Sequence, residues 1–323
     1  MFMNYPVIDV HHHIISTSLQ AKQRELGMTI PSFMPKWTPE IGIDKMDLAG
    51  ITYSILSAPS DLTFLKQTDA NHMARSINEE IASYIERYPE RYGGFATMPL
   101  PDAESALNEV SYALDELNLD GVAMLTSYQG KYLSHPDYEE LLMELNRRKA
   151  VVFLHPILIK EHIAGLNPAL LEGTFDTTRA VTTMAVHRIF ETYPDVRFIL
   201  PHTGGMVPYI KWRIALAVLQ EQFLQTELTG EMIDEEIAKL SSLYYDSTLN
   251  LGTVQKLVDP SRILFGADIP WPSDSILKLQ RESVLTEAES ISIDNLRKIA
   301  YQNAYTLFPR LERQLKLMDE VEV

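Results

Sequence analysis

Pro6-Val7-Ile8-Asp9-Val10-His11-His12-His13 is the stretch on which the reading of this 323-residue chain turns. A short apolar run feeds directly into an acid and a row of imidazoles, the pattern of a buried strand that delivers polar groups to a site at its end. Side chains of a strand alternate between faces, so Asp9, His11 and His13 are expected on one face and Ile8, Val10 and His12 on the other. Two imidazoles two residues apart on one face can share a metal ion, and His12, turned away, cannot join them.

Further short apolar segments follow at 51–56, 92–98, 121–125, 150–155, 196–202, 243–247 and 263–268. Between them lie segments of helical period. One runs through Ile43, Met46 and Leu48 to a terminating Gly50, and another covers 71–88 with Ile77, Ile81 and Ile85 on one face. Asp102 caps a helix carrying Leu107, Val110, Leu114 and Leu117. Ser134-His135-Pro136-Asp137 reads as a capping box before Tyr138, Leu141, Leu142 and Leu145. Later helices are expected over 178–193, through Tyr209, Trp212 and Leu216, and through Leu296, Ile299, Ala300 and Ala304. Strands alternating with helices in this way predict an α/β fold, a (β/α)8 TIM barrel, as one domain over 1–323. An open doubly wound sheet competes, but no G-x-G-x-x-G follows any strand. The longest loops, about 14–42 and 157–177, follow strands 1 and 5 and would cover the face where barrel active sites sit.

Bulk properties narrow the function. With 28 Lys and Arg against 44 Asp and Glu, the net charge of -16 argues against nucleic acid or an anionic membrane as partner. A small anionic substrate stays open, because a metal ion can reverse the field inside a pocket. Cysteine is absent, which removes disulfides, thiolate ligands and a cysteine nucleophile. The first strand begins too early for a signal peptide, and no apolar run reaches the roughly 20 residues of a membrane span. A cytoplasmic location is expected.

On a barrel, His11 and His13 at the end of strand 1, His155 at the end of strand 5, His202 at the end of strand 6 and Asp268 at the end of strand 8 converge on one rim. His11, His13, His155 and Asp268 are the expected ligands of a divalent ion, zinc first and manganese next, with His202 beside them as acid/base and Asp268 in a catalytic role as well. Taken singly, each has an ordinary structural explanation: an HxH at a strand end, a His before Pro, a turn Asp. It is their coincidence at four strand ends that carries the metal reading. Asp9 and Asp246 are candidates to fix an imidazole tautomer, or else buried barrel carboxylates. His72, His135, His162 and His187 are expected at the surface, and Arg75 and Glu79 as a surface i,i+4 pair. Strand 4 ends in Met124-Leu125-Thr126 with the nearest lysine only at Lys131, so no carboxylated lysine is placed to bridge two metals.

The chain resembles the amidohydrolase superfamily, in the branch of the aminocarboxymuconate-semialdehyde and salicylate-type decarboxylases. The resemblance rests on Ile8–His13, Phe153-Leu154-His155-Pro156, Leu200-Pro201-His202-Thr203-Gly204-Gly205, Leu264-Phe265-Gly266-Ala267-Asp268-Ile269-Pro270 and Asn303-Ala304-Tyr305-Thr306-Leu307-Phe308. It implies the same metal positions, with His202 as the catalytic histidine, and a homodimer. It implies a metal-dependent non-oxidative decarboxylase of a small aromatic or unsaturated carboxylic acid. The alternative is a metal-dependent hydrolase of a lactone, ester or amide; a ligand-binding barrel without catalysis is a third reading. For the substrate carboxylate, Lys22, Arg24 and Lys36 are the basic candidates in the first loop.

Overall fold

The computed structural model describes residues 5–157, 163, 165–220, 227–249, 251–286 and 291–313. Eight parallel strands run β1 (Ile8–His13), β2 (Tyr53–Ser57), β3 (Tyr92–Thr97), β4 (Gly121–Leu125), β5 (Val151–His155), β6 (Arg197–Leu200), β7 (Tyr244–Asp246) and β8 (Ile263–Leu264), each paired with the next. Parallel bridges from Asp9 to Phe265 and from His12 to Ile269 join the last strand to the first, so the sheet is the expected (β/α)8 barrel. Among the described residues no helix is long and apolar enough to cross a membrane.

Alternation sorts the strand side chains into two apolar layers. Inside lie Ile8, Val10, Ile55, Phe95, Phe153 and Leu264, and the inner cluster is completed by Leu307, Phe308 and Leu311 from the C-terminal helices. Outside, Leu56, Ala96, Met124 and Leu154 pack beneath the surrounding helices. Phe95 stacks on Phe153 with ring centroids 5.6 Å apart, and Phe153 meets the His11 ring in a T-shaped contact with centroids 5.0 Å apart. The aromatic interior therefore ends as the floor of the histidine cluster.

The expected phase of β1 is wrong at its start. Pairing with β2 advances from Asp9–Ser54 to His12–Leu56, three residues against two, which marks a β-bulge. The extra residue lets Val10 and His11 both face inward. Asp9 is left on the outer side, where its carboxylate accepts from Ser54 Oγ at 3.2 Å. His12 is turned outward as expected, and Trp37 Nε1 donates to its Nε2 at 3.1 Å.

Other differences have local causes. The loop after β1 contains a helix, Thr17–Glu25, and the helix after β5 begins at Pro168, with Asn167 as its cap and proline in the first turn. That helix stops at Val186 because Arg188 turns to φ 59°, so 178–193 is not continuous. The turn before the helix Glu139–Arg148 is capped by His135, whose imidazole accepts from Asp137 N–H at 3.2 Å, and Ser134 forms no capping box. Arg75 bonds the buried Glu109 at 2.9 Å rather than Glu79. His72 and His187 are exposed, His135 is half-buried, and His162 lies outside the described residues.

Gly121 leaves no room for a side chain: a Cβ there would lie 2.4 Å from the Val151 carbonyl oxygen and 3.1 Å from Val151 Cβ. Gly121→Ala is expected to destabilise the fold by about 1–3 kcal/mol, read as a lower denaturant midpoint at unchanged m-value.

Candidate metal centre

His11, His13 and His155 each hold one ring nitrogen against a fixed partner. His11 Nδ1 lies 2.6 Å from Asp246 Oδ2 and 3.2 Å from Thr248 Oγ1. A carboxylate only accepts, so Nδ1 carries a proton and Nε2 is the nitrogen left to face an ion. Ser57 Oγ donates to the His12 carbonyl and lies 3.0 Å from His13 Nδ1, which places the His13 proton on Nδ1 as well. His155 Nδ1 donates to the Pro156 carbonyl at 2.9 Å. Three imidazoles thus turn one nitrogen each toward one point, with ligand atoms within 4.8 Å of one another.

Asp268 reaches the histidines of β1 from across the barrel seam and forms a second cluster with His11 and His202. Its Oδ1 is 3.2 Å from His11 Nε2 and 3.4 Å from His13 Nε2, and the two Nε2 atoms are 3.0 Å apart. Donors bound to one zinc at its usual bond lengths are separated by roughly 3.3 Å in a tetrahedral site, so these spacings fit the edges of one coordination shell. At 3.0 Å the two Nε2 atoms need a proton or a cation between them. The electrostatics point the same way. Burial alone would lower the His11 imidazole, yet the Asp268 and Asp246 carboxylates raise it to about 10. Burial and the neighbouring imidazoles hold His155 well below the ordinary histidine value, and burial lowers His13. Burial would raise Asp268, but His11, His13 and His202 hold it well below the usual carboxylate range.

His202 stands on the other side of Asp268, its Nε2 3.7 Å from Oδ2. It lies past the end of β6 rather than in it, on a turn in which His202, Thr203, Gly204 and Gly205 all have positive φ. A non-glycine residue in the left-handed region stores strain, and such turns cluster at functional sites. Gly204 is needed there, since a Cβ would meet the Tyr245 ring at 2.4 Å. Asp246 Oδ1 accepts from Thr203 N–H at 3.1 Å, so the carboxylate that orients His11 also fastens the turn carrying His202. The His202 ring has its Nδ1 buried without a hydrogen-bond partner.

The remaining carboxylate candidate, Asp9, touches no imidazole within hydrogen-bond range. It accepts from the N–H groups of His11 and Ala267, each at 2.9 Å, and burial raises it to about 7. Ser57 and Thr248 were not foreseeable as partners, because isolated hydroxyls at strand ends carry no periodic signal. Beside His13 and His155 opens a cavity of about 200 Å³, walled by Leu19, Gln20, Gln23, Met34, Ser60 and Trp271 among others. None of its described lining residues is Lys or Arg. Lys22 is taken up by Glu25, Arg24 by Gln20, and Lys36 is exposed.

A family model described as amidohydrolase matches residues 8–310, which is nearly the whole barrel. The chain belongs to the amidohydrolase family. This amidohydrolase is 33% identical over 322 residues to the 6-methylsalicylic acid decarboxylase of Penicillium expansum, covering 94% of this chain and 97% of that protein. A solved structure titled amidohydrolase II is 27% identical with a TM-score of 0.82, covering 94% of this chain and 99% of that one. A dihydroxybenzoic acid decarboxylase from a Polaromonas species, solved with manganese and 2-nitroresorcinol, shares the fold at TM-score 0.76 and 22% identity, covering 94% and 97%. Such relatives place the chain in the decarboxylase branch.

Three outcomes are expected. Asp246→Asn should weaken divalent-ion binding about 10–100-fold at unchanged circular dichroism, whereas His12→Ala should leave metal stoichiometry intact. Because His11 holds a proton up to about pH 10, ion binding must displace it. Calorimetry in buffers of different ionisation heat should show about one proton released per ion near pH 7, falling toward none as pH rises through that value.

Proposed function

We propose that this amidohydrolase is a metal-dependent, non-oxidative decarboxylase of a small aromatic or unsaturated carboxylic acid, with His11, His13, His155 and Asp268 as metal ligands and His202 as proton donor. The observation that carries the assignment of residues is the split of Asp268: Oδ1 faces the imidazole cluster and Oδ2 faces His202. One carboxylate thereby joins the site that would hold an ion to the group that would hold the proton.

A divalent ion held there would supply a Lewis acid that binds the substrate carboxylate and a neighbouring oxygen. The three-nitrogen donor set favours zinc, and the manganese found in the Polaromonas decarboxylase makes manganese the second choice. With no Lys or Arg among the described residues of the cavity wall, the ring of the substrate meets mainly apolar groups and the amides of Gln20 and Gln23. Cavities for drug-sized ligands start near about 300 Å³, so this one suits a single small ring.

His202 delivers its proton from Nε2 to the carbon that bears the carboxylate. The bond to the carboxylate then breaks, its electron pair restores the unsaturated system, and CO2 leaves. One proton enters and one CO2 departs, with no change of oxidation state beyond that. Asp268 is held ionised and is therefore not the resting acid; its Oδ2 lies 3.7 Å from His202 Nε2 and sets a negative charge beside that ring. The strained turn and its anchor on Asp246 keep that ring aimed.

Decarboxylases of aromatic acids among the relatives support this reading over the hydrolase alternative. A homodimer and a cytoplasmic location go with it as finer expectations, checked by light scattering and cell fractionation. Purified enzyme incubated with a panel of hydroxy- and methyl-substituted benzoates should release CO2 only with metal present. His202→Gln should lower kcat about 10²–10⁴-fold with metal content unchanged. Ester or lactone cleavage without CO2 would overturn the assignment.

A further inference from the structure

The wall of the cavity nearest His13 is a helix with unusually little to hold it. Thr17–Glu25 contains no fully buried residue, yet Leu19, Gln20 and Gln23 from it, and its cap Ser16, line the cavity. Most helices of globular proteins are retained by an apolar face rather than by propensity, and nine residues are too few to be stable alone. Leu19 is half-buried against the core and supplies part of the hold. The first turn also lacks an acidic residue to complement the helix dipole.

Glu80, on the helix Gln67–Arg87, supplies what is missing. Its carboxylate accepts from Ser16 Oγ at 2.7 Å, from Thr17 N–H at 3.0 Å and from Thr17 Oγ1 at 2.8 Å. Ser18 Oγ adds a longer contact at 3.4 Å, and Tyr84 OH donates from below at 2.8 Å. Ser16 meanwhile accepts from Leu19 N–H at 3.2 Å, so the cap and the carboxylate form one connected unit. Burial would raise the Glu80 carboxyl, but these donors bring it below its ordinary value. The chain from His13 to Ser16 is three residues long, so the same contact fixes the segment leaving the histidine pair. Glu80 itself is not among the residues lining the cavity.

We propose that Glu80 is a positioning residue: it latches the helix Thr17–Glu25 over the substrate cavity and so sets how well the cavity holds its substrate, without touching it. The expectation for turnover rests on the decarboxylase reading above; the expectation for the helix does not. Losing the latch should loosen the wall while leaving His202 and the metal ligands in place, which predicts an effect on KM and not on kcat.

The test compares wild-type enzyme with Glu80→Ala and Glu80→Gln, each metal-loaded. By hydrogen exchange, amides in 19–26 should lose protection about tenfold in Glu80→Ala, with the barrel strands unchanged. Glu80→Gln, whose amide oxygen still accepts from Thr17, should recover part of that protection. Affinity for salicylate, used as a non-specific aromatic-acid probe, and 1/KM for any turned-over benzoate should fall about tenfold together in Glu80→Ala, with kcat within about twofold. Wild-type protection of 19–26 in Glu80→Ala, or a loss of kcat at unchanged KM, would overturn the latch. If wild-type enzyme decarboxylates nothing while the exchange pattern follows expectation, the decarboxylase reading falls and the latch stands.

Discussion

The seam between β8 and β1 is the constraint on which the site depends. A barrel closes only if its last strand registers with its first, and here that register is held by backbone and side chain together. Asp268 N–H donates to the His11 carbonyl at 2.7 Å and His13 N–H to the Ile269 carbonyl at 2.6 Å. The buried Asp9 carboxylate spans the same seam, accepting from Ala267 and His11 N–H groups. An unpaired carboxylate in such a place would be costly, and its burial is tolerable because each oxygen has donors. Closing the sheet therefore brings Asp268 against the two histidines of β1 as a matter of backbone geometry.

Charge in the site is balanced in the same economical way. Two carboxylates, Asp246 and Asp268, flank His11 on opposite nitrogens, and they hold its imidazole ready to carry positive charge. His13 and His155 are kept neutral by burial, with hydroxyl and carbonyl partners instead of acids. Asp246 reaches further, since its second oxygen takes the Thr203 N–H and thereby restrains the strained turn beneath His202.

Much of this was legible in the sequence. Eight apolar segments were located to within a few residues, because strands buried on both faces leave short dense runs that stand out between helical periods. The rim residues were legible because barrel topology converts a position at a strand end into a position in space. What stayed hidden depends on events without a periodic signature. The bulge in β1 moves Asp9 from the inner to the outer face, and nothing in Ile8-Asp9-Val10 announces an extra residue. Single hydroxyls such as Ser57 and Thr248 gain their meaning only from what closes over them, and Glu80 reads as one more charge on an amphipathic helix until Ser16 and Thr17 are brought to it.

The arrangement of proposed ligands also bears on how the molecule is made. His11 and His13 leave the ribosome before Asp268, which follows by more than two hundred residues, and the interior plug of Leu307, Phe308 and Leu311 comes later still. A nascent chain holding only the first strands has a pair of imidazoles but neither the opposing carboxylate nor a closed wall around them. Acquisition of an ion would then be coupled to completion of the barrel. The ion would act as a proofreader of assembly, rewarding only chains in which the two ends have met in register.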